Sequence, residues 1–274
     1  MLEIDKEVVM REICATGQAL LVRFSTLTPV IERRDMMMAF RDHDGKASDA
    51  IRAALARETP GVGWLDGELK GSAAWTQAGE ASFWVCDAID GAVQYLRGIP
   101  QWCVSLTLLT GGVARMAFLY DPIHEEFFHA ECGVGAFLNG RAISVNGRVT
   151  HCDGFLTTSQ PPFVQNDAAS IRRAARSMQA ILPEAGAVRN LGPTSLQLAY
   201  VACGRLDGFW EFGEDTFNCL GGALMVAEAG GVATDAHGNA YVMQSDSIVA
   251  GPAAAHASLL RALQESDPQA SAAA

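Results

Sequence analysis

The sequence predicts an α/β protein with helices layered on sheets, and three observations carry that reading. The second half of the chain alternates strand and helix signals. The first half begins with helical periodicity and then runs into short strands joined by glycine-containing turns. The 274 residues, 49% of them apolar, suffice for one large or two smaller domains with a real core.

Ile4, Val8, Val9, Ile13, Leu20, Leu21 and Phe24 recur at helical spacing and predict a first helix over 4–24. Residues 26–44 mix charge with Met36, Met37 and Met38; they read as core filling or a plain strand, with a flexible partner surface as the alternative. A second helix is predicted over 47–57 on the stripe Ile51, Ala54 and Leu55, stopped by Thr59-Pro60-Gly61. A short strand at 62–65 and a polar loop at 70–81 precede a strand at 83–86. Strands at 103–109 and 113–120 flank Thr110-Gly111-Gly112, and a meander through 126–130 and 135–138 ends in the tight turn Leu138-Asn139-Gly140-Arg141.

The polar stretch 145–153 separates two halves, 1–147 and 148–265, with a small, polar, frayed tail over 266–274. In the second half, strands are predicted at 155–158, 187–190, 208–211, 232–234 and 248–250. Helices are predicted at 168–181, 195–203, 219–229 and 252–263.

The formal net charge of −11 argues against a nucleic-acid polymer as partner, because a basic face would be needed. Seven scattered cysteines without a Cys-x-x-Cys read as small hydrophobes in a reducing compartment. No signal peptide and no run long enough to span a bilayer are evident, so a cytoplasmic location with no membrane partner is expected. The six histidines show no metal-ligand spacing and read as surface or loop residues, and Trp102 and Trp210 as core.

Chemistry concentrates in Trp84-Val85-Cys86-Asp87-Ala88-Ile89-Asp90-Gly91-Ala92. A strand end there delivers two carboxylates, Asp87 and Asp90, and carboxylates with a main-chain carbonyl are oxygen ligands suited to a hard divalent cation. Gly91 then lets backbone N–H groups approach an anion, and residues 93–96 read as helical. An Asp-rich surface turn is the alternative. Glu68 lies one loop earlier, and three carboxylates with a carbonyl would suit one or two Mg²⁺ ions that keep waters for a substrate phosphate.

This stretch resembles the Asp-Pro-Ile-Asp-Gly-Thr signature of the inositol monophosphatase family, within the lithium-sensitive Mg²⁺-dependent phosphatases. The family's second signature, Trp-Asp before a small-residue helix ending in Glu-Ala-Gly-Gly, is matched by Phe217-Asn218-Cys219-Leu220-Gly221-Gly222-Ala223 through Glu228-Ala229-Gly230-Gly231. Arg189-Asn190-Leu191-Gly192 and Gly204-Arg205-Leu206-Asp207-Gly208-Phe209-Trp210-Glu211 follow in the family's order. The resemblance implies an alternating α-β-α-β-α layered sandwich, a homodimer, and hydrolysis of a small phosphorylated alcohol by attack of a metal-activated water. It implies one to three Mg²⁺ ions, with Mn²⁺ as substitute and Li⁺ as inhibitor.

Position by position, the resemblance makes Asp87 the metal bridge, Ile89 a carbonyl ligand, and Asp90 a second-metal and substrate ligand. Without a gap Gly67 falls on the outlying ligand position; a one-residue shift brings Glu68 there. Asp44 falls on the acidic residue that orients water. Gly91 and Ala92 fall on the phosphate contacts, and Gly192, Pro193, Thr194 and Glu211 on contacts to the alcohol. Three departures bear on chemistry. Asn218 replaces a metal-binding aspartate, keeping an oxygen but no charge; Ala92 replaces a water-activating threonine; Ala88 replaces a proline. Asp215, three residues before Asn218, reads as part of the preceding loop. A weakened phosphatase is expected, with a degenerate member that binds a phosphorylated small molecule or a protein as the alternative.

Overall fold

The computed structural model describes residues 4–65, 81–161 and 164–267. The chain opens with helix α1 (Lys6–Phe24), started by Asp5, whose carboxylate accepts the N–H groups of Glu7 at 3.0 Å and Val8 at 3.4 Å. Helix α2 (Arg33–Glu58) follows. It corrects the expectation for 26–44, because the methionine run is helical and continuous with the helix expected at 47–57. Met36, Phe40, Ala47, Ile51 and Leu55 share one face of α2, and that face joins the core.

Seven strands then form one sheet in chain order: β1 (Gly63–Leu65), β2 (Ser82–Asp90), β3 (Cys103–Thr110), β4 (Val113–Asp121), β5 (Glu126–Glu131), β6 (Gly135–Leu138) and β7 (Arg141–Ala142). Only β1 and β2 pair parallel; the rest is an antiparallel meander. The one-turn helix α3 (Ala92–Leu96) leaves the end of β2. At the β6–β7 turn Asn139 and Gly140 both hold positive φ, 49° and 74°, as a two-residue primed hairpin requires.

The second sheet has the order β11-β12-β10-β8-β9. Its strands are β8 (Phe155–Thr158), β9 (Ala187–Arg189), β10 (Gly208–Phe212), β11 (Gly231–Thr234) and β12 (Ser247–Pro252). Between them run α4 (Ala168–Ile181), α5 (Thr194–Ala202) and α6 (Thr216–Glu228), and α7 (Ala253–Ser266) closes the described chain. Residue 266 is therefore helical, and 268–274 of the expected tail lie outside the described residues.

The layers follow from which faces are apolar. One core joins α1 and α2 to the first sheet through Ile13, Ile51, Trp84 and Phe118. A second joins that sheet, α5, α6 and the second sheet through Leu119, Phe128, Leu198, Val226 and Ile248. A third joins the second sheet to α4 and α7 through Leu156, Ile181, Trp210 and Leu259. The result is an α-β-α-β-α sandwich, with α5 and α6 enclosed between two sheets. Trp102 and Trp210 are core residues, and the Trp210 indole N–H donates to Ser177 Oγ at 2.9 Å. His256, in α7, departs from the surface-or-loop expectation, and His151 lies in a loop as expected but is not at the surface. Both are buried, held by Ser258 and Thr234 at 2.8 and 2.9 Å.

Small residues let α6 fit between the sheets. A Cβ on Gly222 would lie 2.5 Å from Leu198 Cβ on α5. Gly222→Ala is therefore expected to destabilise the fold by about 1–3 kcal/mol, since a backbone-anchored atom cannot step aside. Gly45, inside α2, has open space where its Cβ would be. Gly45→Ala should gain about 1 kcal/mol from helix propensity alone. Urea unfolding of the two variants beside the parent measures both signs.

Candidate active site

The end of β2 is built to turn two carboxylates the same way. Asp87 pairs with Ser105 but Asp90 pairs with Cys103, so three residues of β2 oppose two of β3. In a regular strand residues three apart point to opposite faces. The bulge cancels that alternation, and Asp87 and Asp90 both line one cavity of 690 Å³. Gly91 follows at φ +94°, and a Cβ there would meet Pro193 at 2.8 Å and the Gln101 carbonyl at 2.9 Å. Only glycine permits both the turn and the close approach.

The N-termini of the two enclosed helices complete the corner. At the start of α5 the Ser195 N–H donates to Asp90 Oδ2 at 3.2 Å, and the Ser195 hydroxyl donates to the same oxygen. Just before it, Thr194 Oγ1 donates to Glu211 Oε2 at 3.0 Å, which fixes the β10 carboxylate. At the start of α6, Asn218 Nδ2 donates to Asp215 Oδ1 at 2.8 Å. Asp90, Glu211, Asp215 and Asn218 are at most 6% exposed. Two oxygens in this group, Glu211 Oε1 and Asn218 Oδ1, are buried without a hydrogen-bond partner.

Burial sets the electrostatics. It raises Asp90 to about 6, against the hydrogen bonds from Ser195 and Gly91, and raises Glu211 to about 7, against those from Asp215 and Thr194. Asp215 rises well above the carboxylate range, driven by burial and then by the negative charges of Glu211 and Asp90. Among the described residues no lysine, arginine or histidine lines the cavity. Several buried acids without a basic partner in their wall are costly unless protons or a cation join them. Carboxylates with two orphaned oxygens fit a hard divalent cation and do not fit an anionic ligand unaided.

Most of the residues expected from sequence converge. Asp87, Ile89, Asp90, Gly91, Ala92, Gly192, Pro193, Thr194 and Asn218 line the cavity, and Glu211 stands directly behind Thr194. Asp44 sits on α2 near the Ala88 and Ile89 backbone N–H groups, which favour its charged form, although the Ile89 N–H itself donates to Asp87 Oδ1 at 3.0 Å. Burial still raises Asp44 to about 6. It does not itself line the cavity, and His43 packs on Tyr95 with ring centroids 5.7 Å apart. Glu68 and Gly67 lie outside the described residues. Two residues were missed by sequence reasoning. Asp215 lies in the loop before α6, as expected, but it also forms part of the cavity wall. Ser195 contacts Asp90 across 105 positions of chain, and only its place as a small hydroxyl residue at a helix start hinted at a role. Met36, Met37 and Phe40 of α2, with Ile99 beyond α3, add apolar lining to the cavity.

The layered sandwich and the oxygen-rich corner at its seam define a metal-dependent phosphatase class. The chain belongs to the inositol monophosphatase family, whose model matches residues 9–267. It is 35% identical over 224 residues to the inositol-1-monophosphatase of Mesorhizobium japonicum, covering 81% of each chain. It is 33% identical over 234 residues to the Nus factor SuhB of Pseudomonas aeruginosa, covering 85% of this chain and 86% of the other. The crystal structure of the extragenic suppressor protein suhB from Bartonella henselae superposes with a TM-score of 0.79 at 28% identity, over 95% of this chain and 98% of that one. No helix among the described residues is long and apolar enough to cross a membrane.

The raised acids make a stability prediction for the metal-free protein. Asp44 and Asp90 near 6 and Glu211 near 7 in the fold are all above their unfolded values. The folded state then binds more protons between those limits, so its stability falls as pH rises through them. The melting temperature without divalent cation should drop from about pH 5 to about pH 8, and excess Mg²⁺ should recover it at the higher pH. A melting temperature flat in both respects would remove the electrostatic account of the corner.

Proposed function

We propose that the chain is a Mg²⁺-dependent phosphomonoesterase acting on a small phosphorylated alcohol, inositol monophosphate-like in class. The observation that carries this reading is the convergence of Asp87, Asp90 and Asn218 with the Gly91–Ala92 backbone on one cavity. Asp87, the Ile89 carbonyl, Asp90 and Asn218 Oδ1 would hold the cation, with Glu68 as the outlying ligand and Mn²⁺ as a substitute. When bound, the cation supplies Lewis-acid polarisation of phosphoryl oxygen and charge neutralisation at the leaving group.

The rest falls to the chain. Ala92 and Val93 open the one-turn helix α3, and first-turn N–H groups have no partner inside a helix, so they are available to phosphate oxygens. Ser195 holds the Asp90 carboxylate in place. Thr194 holds Glu211 toward the side where Gly192 and Pro193 would meet the alcohol. Asp44 would orient water as a base from behind the turn. Without a hydroxyl at Ala92 its proton path is shorter by one group, so a slow enzyme is expected. All seven cysteines are free, which suits a reducing compartment, and a cytoplasmic homodimer belongs to the same proposal.

A second reading has its own support. Ala92 and Asn218 both weaken turnover, and relatives 33% and 36% identical are named Nus factor SuhB. In that reading the same cavity binds a phosphorylated small molecule, or the chain serves a protein partner, with little hydrolysis.

Phosphate release from a panel of phosphomonoesters that includes inositol 1-phosphate separates the two. The phosphatase reading expects Mg²⁺-dependent release that Asp90→Asn cuts by at least about 100-fold. It also expects Ala92→Thr to raise the rate by about tenfold, roughly 1.4 kcal/mol of barrier. Release no faster than that of Asp90→Asn at saturating Mg²⁺ favours the second reading.

A further inference from the structure

The charge that Asn218 lacks is present one helical turn earlier. Asp215 stands immediately before α6 and Asn218 in its first turn, so the two side chains are neighbours on one face of the helix start. Asp215 is 5% and Asn218 6% exposed, and both line the cavity. Beside a cation Asp215 is ionised and only accepts hydrogen bonds, so the 2.8 Å contact from Asn218 Nδ2 to Asp215 Oδ1 is then the one that sets which end of the amide faces the acid. The other end, Oδ1, is left buried without a partner. Glu211 offers a second such oxygen, and carboxylate oxygens of Glu211 and Asp215 lie within 4.8 Å of each other, with the Cys219 thiol in the same cluster. A proton shared between the two acids would satisfy those acids. It would leave the Asn218 oxygen, which requires a donor or a cation, unsatisfied at a cost of about 1–3 kcal/mol.

We propose that Asp215 is a metal ligand in this chain. A hard divalent cation binds against Asp215 and Asn218 Oδ1 at the cavity wall, with Glu211 within reach, so the carboxylate usual at the Asn218 position has moved three residues upstream. The inference deepens the metal-dependent reading above and rests on it. Oxygen donors select Mg²⁺ or Mn²⁺. The hydrogen bond from the Asn218 amide then has a second role, because it presents the amide oxygen to the ion beside the charge.

Mn²⁺ binding to the full chain, followed by electron paramagnetic resonance without substrate, tests this. Asp215→Asn is expected to weaken one Mn²⁺ site by at least about tenfold. Asp215→Asn combined with Asn218→Asp should restore that site to within about threefold, because the charge returns to the neighbouring position. Circular dichroism melts establish that each variant is folded. Crystals of the unaltered chain soaked in Mn²⁺ need no variant, and an anomalous peak about 2–2.5 Å from an Asp215 oxygen is expected. Equal Mn²⁺ affinity in folded Asp215→Asn, or ions bound only at Asp87 and Asp90, overturns the inference. Neither readout uses turnover. Mn²⁺ held by Asp215 without phosphate release sinks the phosphatase reading and keeps this one; phosphate release with Mn²⁺ binding indifferent to Asp215 does the reverse.

Discussion

Buried negative charge at the seam between two sheets is the constraint on which the rest of the structure depends. Asp90 comes from the end of β2 and Glu211 and Asp215 from the β10–α6 junction, and all three are nearly removed from water. Taking carboxylates out of water costs several kcal/mol each unless something replaces the hydration. Part of the replacement is local. Backbone N–H groups at helix starts and the hydroxyls of Ser195 and Thr194 supply donors to Asp90 and Glu211. Those donors orient the acids without neutralising them, and the raised positions of all three acids record what is left over. A cation is the natural remainder. The folded chain therefore carries unmet electrostatic demand that the proposed cation would answer.

The layered fold exists to hold that arrangement. Helices α5 and α6 are enclosed on both sides, so their starting turns are referenced to both sheets at once. Close approach depends on missing side chains: Gly221 faces Thr107 of the first sheet and Gly222 faces Leu198 of α5. The bulge in β2 then aims two acids at a point that the helix starts already face. Rigid elements carry nearly all of the oxygen atoms at this corner, and α2 and the segment around α3 add apolar lining.

Elements with strong periodicity or turn chemistry were legible in the sequence. Alternation marked the strands of the second half, and Asn139-Gly140 marked its hairpin, because such signals depend on a few neighbouring residues. Helix α2 was hidden over 33–46. Its charged positions and Gly45 read as irregular, and the apolar face carried by Met36 and Phe40 becomes apparent only when packed on α1 and the first sheet. The acidic turn was readable as a candidate metal motif because its two carboxylates lie three residues apart at a strand end. Ser195 was not, since its partner is distant in sequence. Asp215 was passed over because it lies in the loop before α6, and only the fold shows that this capping position places its side chain beside Asn218.

The central claim is that protonated acids at this corner give way to a divalent cation. Isothermal titration of the metal-free chain with Mg²⁺ near pH 6, repeated in two buffers of different ionisation enthalpy, measures it directly. The account predicts that Mg²⁺ binds and that the heat differs between buffers because binding expels about one proton or more from the raised carboxylates. Binding with the same heat in both buffers, or no binding at millimolar Mg²⁺, would contradict it.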